Sequence, residues 1–379
     1  MRALCVVAAR PGTCAARLAA AASALERRGF ELFAERVLDY APNSTLSESG
    51  VRPGSPVLIC FDPLIEAQDP PGARFAHSSI DSAVFHLGAT LGAGEGDLKI
   101  ATSTRQALCV ANAVLTSEEH AILLERIALR RTEMETPEPV IATLSRHRHR
   151  AKVELVDWQG IMAVKKTFRA TAGAAMANEI AFHDDIAPLS PVPARILHRT
   201  GAALYFEYIP QRPANRLVSA MRLPSLQPLS CIAQLAEFAR LVTSRGWDPL
   251  DLTPRDNVLI EAGSGALRCI DFEFARRRPH PIKPEEAAFL SGIRDDDNAA
   301  ELFDIGMRQN PYPGKWRPFT GLDRHSFLHD PPWLQRTKRV GLHPFWLVWR
   351  ALGSRQRRQA YIRRRAALLN RLALDGRPS

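Results

Sequence analysis

Thr136-Pro137-Glu138-Pro139 constrains this chain more than any other four residues. Two prolines one residue apart cannot sit inside a helix or a central strand, because each lacks a backbone N–H and fixes φ. The segment therefore divides the 379 residues into parts that fold differently. At about 150 residues per domain the length allows two domains or three. We expect an N-terminal domain over residues 1–135 and a second unit over 136–335, itself split near 210. Residues 336–379 form a basic tail.

Before the boundary, strand-like and helix-like pieces alternate. Leu4–Ala8 is a short apolar run, Gly12–Arg28 is an alanine-rich helical stretch, and Pro56–Phe61 reads as a buried strand. Leu98–Ala101 and Ala111–Leu115 are read as further strands, and Ser117 as the N-cap of a helix through Leu129. The alternation predicts a small parallel α/β layer, Rossmann-like in general form. Gly92, Gly94 and Gly96 do not fit a dinucleotide fingerprint and read as an ordinary loop.

Composition excludes several classes. The chain is 46% hydrophobic and 24% charged, too apolar for a disordered protein. No stretch approaches the roughly 18 uninterrupted apolar residues of a membrane span. Arg10 and Arg17 break what would otherwise resemble a signal sequence. Six scattered cysteines without a Cys-x-x-Cys pair argue against a disulfide scaffold or zinc site, and point to the reducing cytoplasm.

After the boundary, Lys152–Asp157 and Ile161–Phe168 flank Gln159-Gly160, the pattern of an antiparallel hairpin. Four pieces then follow in order: Lys165-Lys166 on the second hairpin strand, Glu179 in a helical segment, the strand Ala203–Pro210, and finally Asp251-Leu-Thr-Pro-Arg-Asp-Asn257 with Cys269-Ile-Asp-Phe-Glu273. Such a set suits phosphoryl transfer, which needs positioning and charge neutralisation more than covalent help. A strand lysine can hold phosphates and a helix carboxylate can hold the lysine. Two oxygen-bearing side chains can coordinate magnesium, and a further aspartate can accept the proton of the attacking hydroxyl.

Residues 140–280 resemble the protein-kinase-like fold, closest to atypical bacterial kinases and to lipopolysaccharide-core or aminoglycoside-type phosphotransferases. The resemblance implies an α+β, two-lobed domain that uses ATP and Mg2+. By it, Lys165 matches the phosphate lysine and Glu179 its partner. Phe206–Ile209, with Glu207 and Ile209 at the nucleotide, matches the hinge. Asp251 matches the catalytic aspartate, Asn257 the metal-binding asparagine and Asp271 the metal-binding aspartate. Asn257 lies six positions after Asp251 where the family has five, so Asp256 or Asn257 can reach the metal. Pro249 and Glu273 stand where the family has histidine and glycine, and no glycine-rich loop occurs between Ile141 and Glu154. Two functions follow: a kinase acting on a hydroxyl of a protein, sugar or glycolipid, or a non-catalytic pseudokinase that binds nucleotide or scaffolds.

Ile232, Leu235, Phe238, Ala239 and Val242 recur at helical spacing within Leu229–Arg245 and form one apolar face, with Trp247 packed at the helix end. His147 and His149 lie among arginines and read as a solvated basic loop. Asp295–Asp297 reads as a solvated turn. From Gly341 onward nine arginines face one acid, a net +8 out of the chain's +10. Together with Trp346 and Trp349 they suit an anionic membrane surface at the inner face. The same segment also fits a helix packed on the lower lobe with its arginines in water. Nucleic acid is the weaker partner, since no reading module accompanies the arginines.

Overall fold

The computed structural model describes residues 3–39, 52–65, 77–90, 98–145, 149–211, 226–293 and 310–373. Strand β1 (Leu4–Ala9) is buried along its whole length, because side chains alternate across a sheet and both faces of this one are covered. Cys5, Val7 and Ala9 join a core with helices α1 (Ala15–Glu26) and α2 (Ser78–Thr90). Leu4, Val6 and Ala8 join another with α3 (Thr104–Val114) and α4 (Ser117–Glu133).

The sheet runs β2 (Glu31–Leu38), β3 (Ser55–Phe61), β1, β4 (Leu98–Ile100), and every neighbouring pair is antiparallel. The parallel, Rossmann-like layer expected from the sequence is therefore corrected. The chain runs β-α-β-β-α-β and inserts β3 between β1 and β2, the order of a ferredoxin-like unit. Uninterrupted apolar runs usually mark parallel strands covered on both faces. Here helices on both sides bury an antiparallel sheet, and the same pattern results.

Two local expectations also shift. Ala111–Leu115 is not a strand: Val110 and Ala111 follow Ala107 at helical spacing and complete the buried side of α3. Thr116, not Ser117, caps α4. Its hydroxyl accepts from the Glu119 N–H at 3.2 Å while the Glu119 carboxylate accepts from the Thr116 N–H at 2.9 Å, a capping box. Gly92–Gly96, His147 and Asp295–Asp297 lie outside the described residues.

The second sheet has the order β5 (Val140–Thr143), β6 (Ala151–Trp158), β7 (Ile161–Phe168), β9 (Ala203–Glu207), β8 (Ile196–Arg199), all antiparallel. The β6–β7 hairpin closes through Gln159 (φ 57°) and Gly160 (φ 81°), the two left-handed residues that a tight hairpin turn requires. Helix α5 (Gly173–Ile186) follows. Beyond the sheet, α6 (Leu229–Ser244) buries all five residues of the expected apolar face. They pack with Phe182, Trp247, Phe272, Trp316 and Phe327 in one core. Two short antiparallel pairs lie beside it: β10 (Trp247–Pro249) with β13 (Ala275–Arg277), and β11 (Val258–Ile260) with β12 (Leu267–Cys269). The architecture is α+β with small antiparallel sheets.

The N-terminal unit grips the second sheet through buried polar contacts. Arg169 donates to Asp62 at 2.7 Å and to the Gly29 carbonyl at 2.8 Å; the His149 ring meets the Arg28 carbonyl at 2.8 Å. Gly29 (φ 87°) is required here, since a Cβ would lie 2.7 Å from the His149 oxygen.

The basic tail does not end on the lower unit. Helices α7 (Arg324–His329), α8 (Pro332–Gly341) and α9 (His343–Leu372) lead back to the N-terminal sheet. There Leu369, Leu372 and Ala373 complete the α1–α2 core, and Ala373 pairs in parallel with Ile100. Tyr361 meets Phe85 edge-on at 5.7 Å. Among the described residues, no helix is long and apolar enough to cross a membrane.

His183 supplies a pH test of the inner core. Its ring lies 5.5 Å from both Phe206 and Phe272, and neither nitrogen has a hydrogen-bond partner among the described residues. Burial, with help from Lys166 and Arg199, pushes the imidazole down to about 4. Stability from a neutral buried histidine is present above the unfolded value of 6.5 and is lost as pH falls toward 4. At 1.36 kcal/mol per unit, roughly 2–3 kcal/mol should disappear between pH 7 and pH 4.5. We expect His183→Met to recover most of that difference, read from urea unfolding at the two pH values.

Candidate functional site

Strand parity decides which lysine enters the site. Val164, Lys166 and Phe168 share one face of β7, and Lys165 takes the other. Lys166 donates to Glu179 at 2.7 Å and to Asp271 at 2.6 Å, and its ammonium stands 3.0 Å from Glu273. Lys165, the residue expected to hold phosphate, is instead bound to Glu138 at 2.6 Å and lies 5.2 Å above the Tyr205 ring. The correction is a one-residue change of face. Both faces of β7 are covered, so the two lysines are equally buried. The two larger apolar residues in phase with Lys166 are the signal that could have identified it.

Glu179 comes from α5 and is 1% exposed. Its second oxygen accepts from the Phe272 N–H at 3.3 Å, which ties α5 to the Asp271–Glu273 segment. Asp271 has φ 67°, a left-handed conformation that costs energy in a residue with a side chain and turns its carboxylate toward Lys166. Glu273, noted in the sequence only as a replacement for glycine, is a full member of the group. It accepts from Arg150 Nε at 2.5 Å and from Lys166. Arg150 also lies 4.0 Å over the Phe274 ring. Carboxylate oxygens of Glu179, Asp271 and Glu273 all lie within 4.8 Å of one another.

Charge crowding shifts these groups. Burial pushes Glu179 up to about 7, with Lys166 opposing and Asp271 adding to the rise. Burial works against the Lys166 charge, but Asp271, Glu179 and Glu273 overcome it and hold the ammonium well above its usual range. Glu273 is held low by Lys166 and Arg150 against the effect of its own burial. Asp251 is raised well above the usual carboxylate range, by burial first and then by Asp271 and Glu273. Its Oδ1 is buried without a hydrogen-bond partner among the described residues.

Asn257 is buried and its Nδ2 donates to the Asp251 carbonyl at 3.1 Å. The Asn257 carbonyl in turn accepts from the Ile270 N–H at 3.0 Å. The amide oxygen of Asn257 has no hydrogen-bond partner among the described residues. Asp256 is exposed at the mouth, 3.6 Å from Arg255. The structure thus holds Asn257 to the Asp251 loop and sets Asp256 at the rim.

Lys166, Glu179 and Asp271 line a cleft of about 680 Å³. Val153, Val164, Ala194, Phe206, Leu259 and Ile270 supply apolar lining, and Glu207, Tyr208 and Ile209 line it as well. The Glu207 carboxylate is occupied by Arg268 and by the Arg195 N–H, and the Glu207 N–H donates to the Arg195 carbonyl at 3.0 Å. Chemically, the cleft combines apolar lining with a fixed cation, Lys166, and the carboxylates of Glu179 and Asp271. The β5–β6 connection carries Ser145, His149 and Arg150. Compared with models of protein families and with curated proteins, the chain matches none.

Proposed function

We propose that the chain is an ATP- and Mg2+-dependent phosphotransferase of the protein-kinase-like fold, delivering the γ-phosphate to a hydroxyl of a protein, sugar or glycolipid. The observation that carries this reading is the convergence of Lys166, Glu179 and Asp271 in a cleft with partly apolar lining. In this reading the hinge backbone at Glu207 and Ile209 meets the base, and Lys166, aligned by Glu179, holds phosphate oxygens. Asp271 and Asn257 would hold Mg2+, an oxygen-seeking ion that neutralises phosphate charge. The Asp251 carboxylate accepts the acceptor hydroxyl's proton, the oxygen bonds to the γ-phosphorus, and the bond to the bridging oxygen breaks, releasing ADP.

To act as the base Asp251 must be ionised, and a cation held by Asp271 and Asn257 would oppose the burial and the crowding by Asp271 and Glu273 that raise it. The enzyme would work in the cytoplasm, peripherally at the inner membrane face, in keeping with the arginine-rich C-terminal segment. The pseudokinase reading is favoured by one observation, the basic β5–β6 connection in place of glycines. ADP formation from MgATP with protein, sugar and glycolipid acceptors separates the two. We expect turnover in the wild type and a loss of roughly 100-fold or more in Asp271→Asn, typical of removing a group that stabilises transferred charge. Absence of turnover with every acceptor class, or equal turnover in the variant, contradicts the proposal.

A further inference from the structure

The turn between α8 and α9 exposes five large apolar residues within sixteen positions. Trp333, Val340, Leu342, Phe345 and Val348 are between 57% and 77% exposed. Trp333, Arg336 and Val340 fall at helical spacing on one side of α8, and Phe345 and Val348 do so on α9. The inner side of the same elbow is anchored. Gln335 is buried and donates to the Ser326 carbonyl at 2.9 Å, His343 is buried, and Arg317 sits 5.0 Å over the Trp346 ring. The apolar side is therefore held outward by a fixed scaffold.

Charge identifies what can cover it. Residues 331–350, around the elbow, contain four lysines and arginines and no acidic residue, with Lys338 paired to Asp330 just before them at 2.7 Å. A second copy would bring an equal positive charge to the contact. A polyanion alone gains nothing from Val340, Leu342 and Val348. An anionic bilayer satisfies both features, because acyl chains accept the apolar residues while headgroups attract the cations. We propose that this elbow is a docking site for anionic lipid surfaces, with Trp333 and Phe345 entering the headgroup boundary. The inference deepens the membrane part of the reading above and does not depend on phosphoryl transfer. It also relocates the contact, since the far end of α9 is committed to the N-terminal core through Leu369 and Leu372.

The test is co-sedimentation of the full chain with phosphatidylcholine vesicles with and without phosphatidylglycerol. Wild type, Trp333→Ser/Phe345→Ser/Val348→Ser, and Arg336→Gln are compared. We expect binding only to the anionic vesicles, weakened tenfold or more by the triple change and severalfold by Arg336→Gln. Trp333 emission should be quenched by brominated acyl chains. The triple variant should titrate MgATP like the wild type, so loss of vesicle binding and failure of the cleft are read separately. No wild-type binding, binding untouched by the triple change, or an elbow-dependent dimer in sedimentation velocity would each overturn the proposal.

Discussion

Lys166→Met should lower MgATP affinity and phosphoryl transfer by about two orders of magnitude, whereas Lys165→Met should leave both within about threefold; removing a fixed charge at a developing phosphate charge typically costs that much. The asymmetry follows from parity alone. Lys166 points into the group formed by Glu179, Asp271 and Glu273, and Lys165 points to Glu138 across the sheet. Initial rates of ADP formation check the first half, with Lys165→Met as an internal control of equal size and burial. Stability should respond too. Taking away the cation leaves Glu179 and Glu273 buried without it, and unpairing a buried charge costs about 3–5 kcal/mol. Glu179, already raised to about 7, relieves part of this by taking up a proton. Lys166→Arg keeps the charge and should retain the melting temperature while still losing much of the rate, because a planar fork does not replace a point charge.

Leu369→Ala/Leu372→Ala should destabilise the N-terminal unit more than any pair of changes within the tail's exposed face. Both leucines are about nineteen-twentieths buried or close to it, at 6% and 5% exposure, and they close the core formed by α1, α2 and β4. A buried Leu→Ala change costs about 2–5 kcal/mol, and two neighbours need not add simply. A combined loss of roughly 4–8 kcal/mol would consume most of a typical domain's stability. Hydrogen exchange at β1 and β4 is the readout, with the amides of α6 as a reference that should stay protected. Protection of β1 equal to the wild type would show that α9 merely rests on the sheet.

What the sequence made legible was local. The β6–β7 hairpin could be read because Gln159-Gly160 supplies the turn and apolar runs flank it. Helix α6 could be read because its five apolar residues repeat at three and four. Glu179, Asp251, Asn257 and Asp271 could be placed in order by their motifs. What stayed hidden depends on neighbours far along the chain. Strand β1 shows the same apolar run whether its partners are parallel or antiparallel, and only the insertion of β3 beside it decides. Lys165 and Lys166 differ by one step in a strand covered on both faces, so burial does not separate them. Glu273 and Arg150 lie more than a hundred residues apart, and nothing in either stretch announces the 2.5 Å contact. The tail's arginines suggested a membrane-facing helix or one packed on the lower lobe, while Leu369 and Leu372 carry no mark of the sheet they complete.

The most direct test of the account is calorimetric titration of MgATP into the wild type, Lys165→Met and Lys166→Met. Saturable one-site binding is expected in the first two and a loss of about 100-fold in the third. No binding to the wild type, or equal binding to all three, would contradict the assignment of this cleft to a nucleotide.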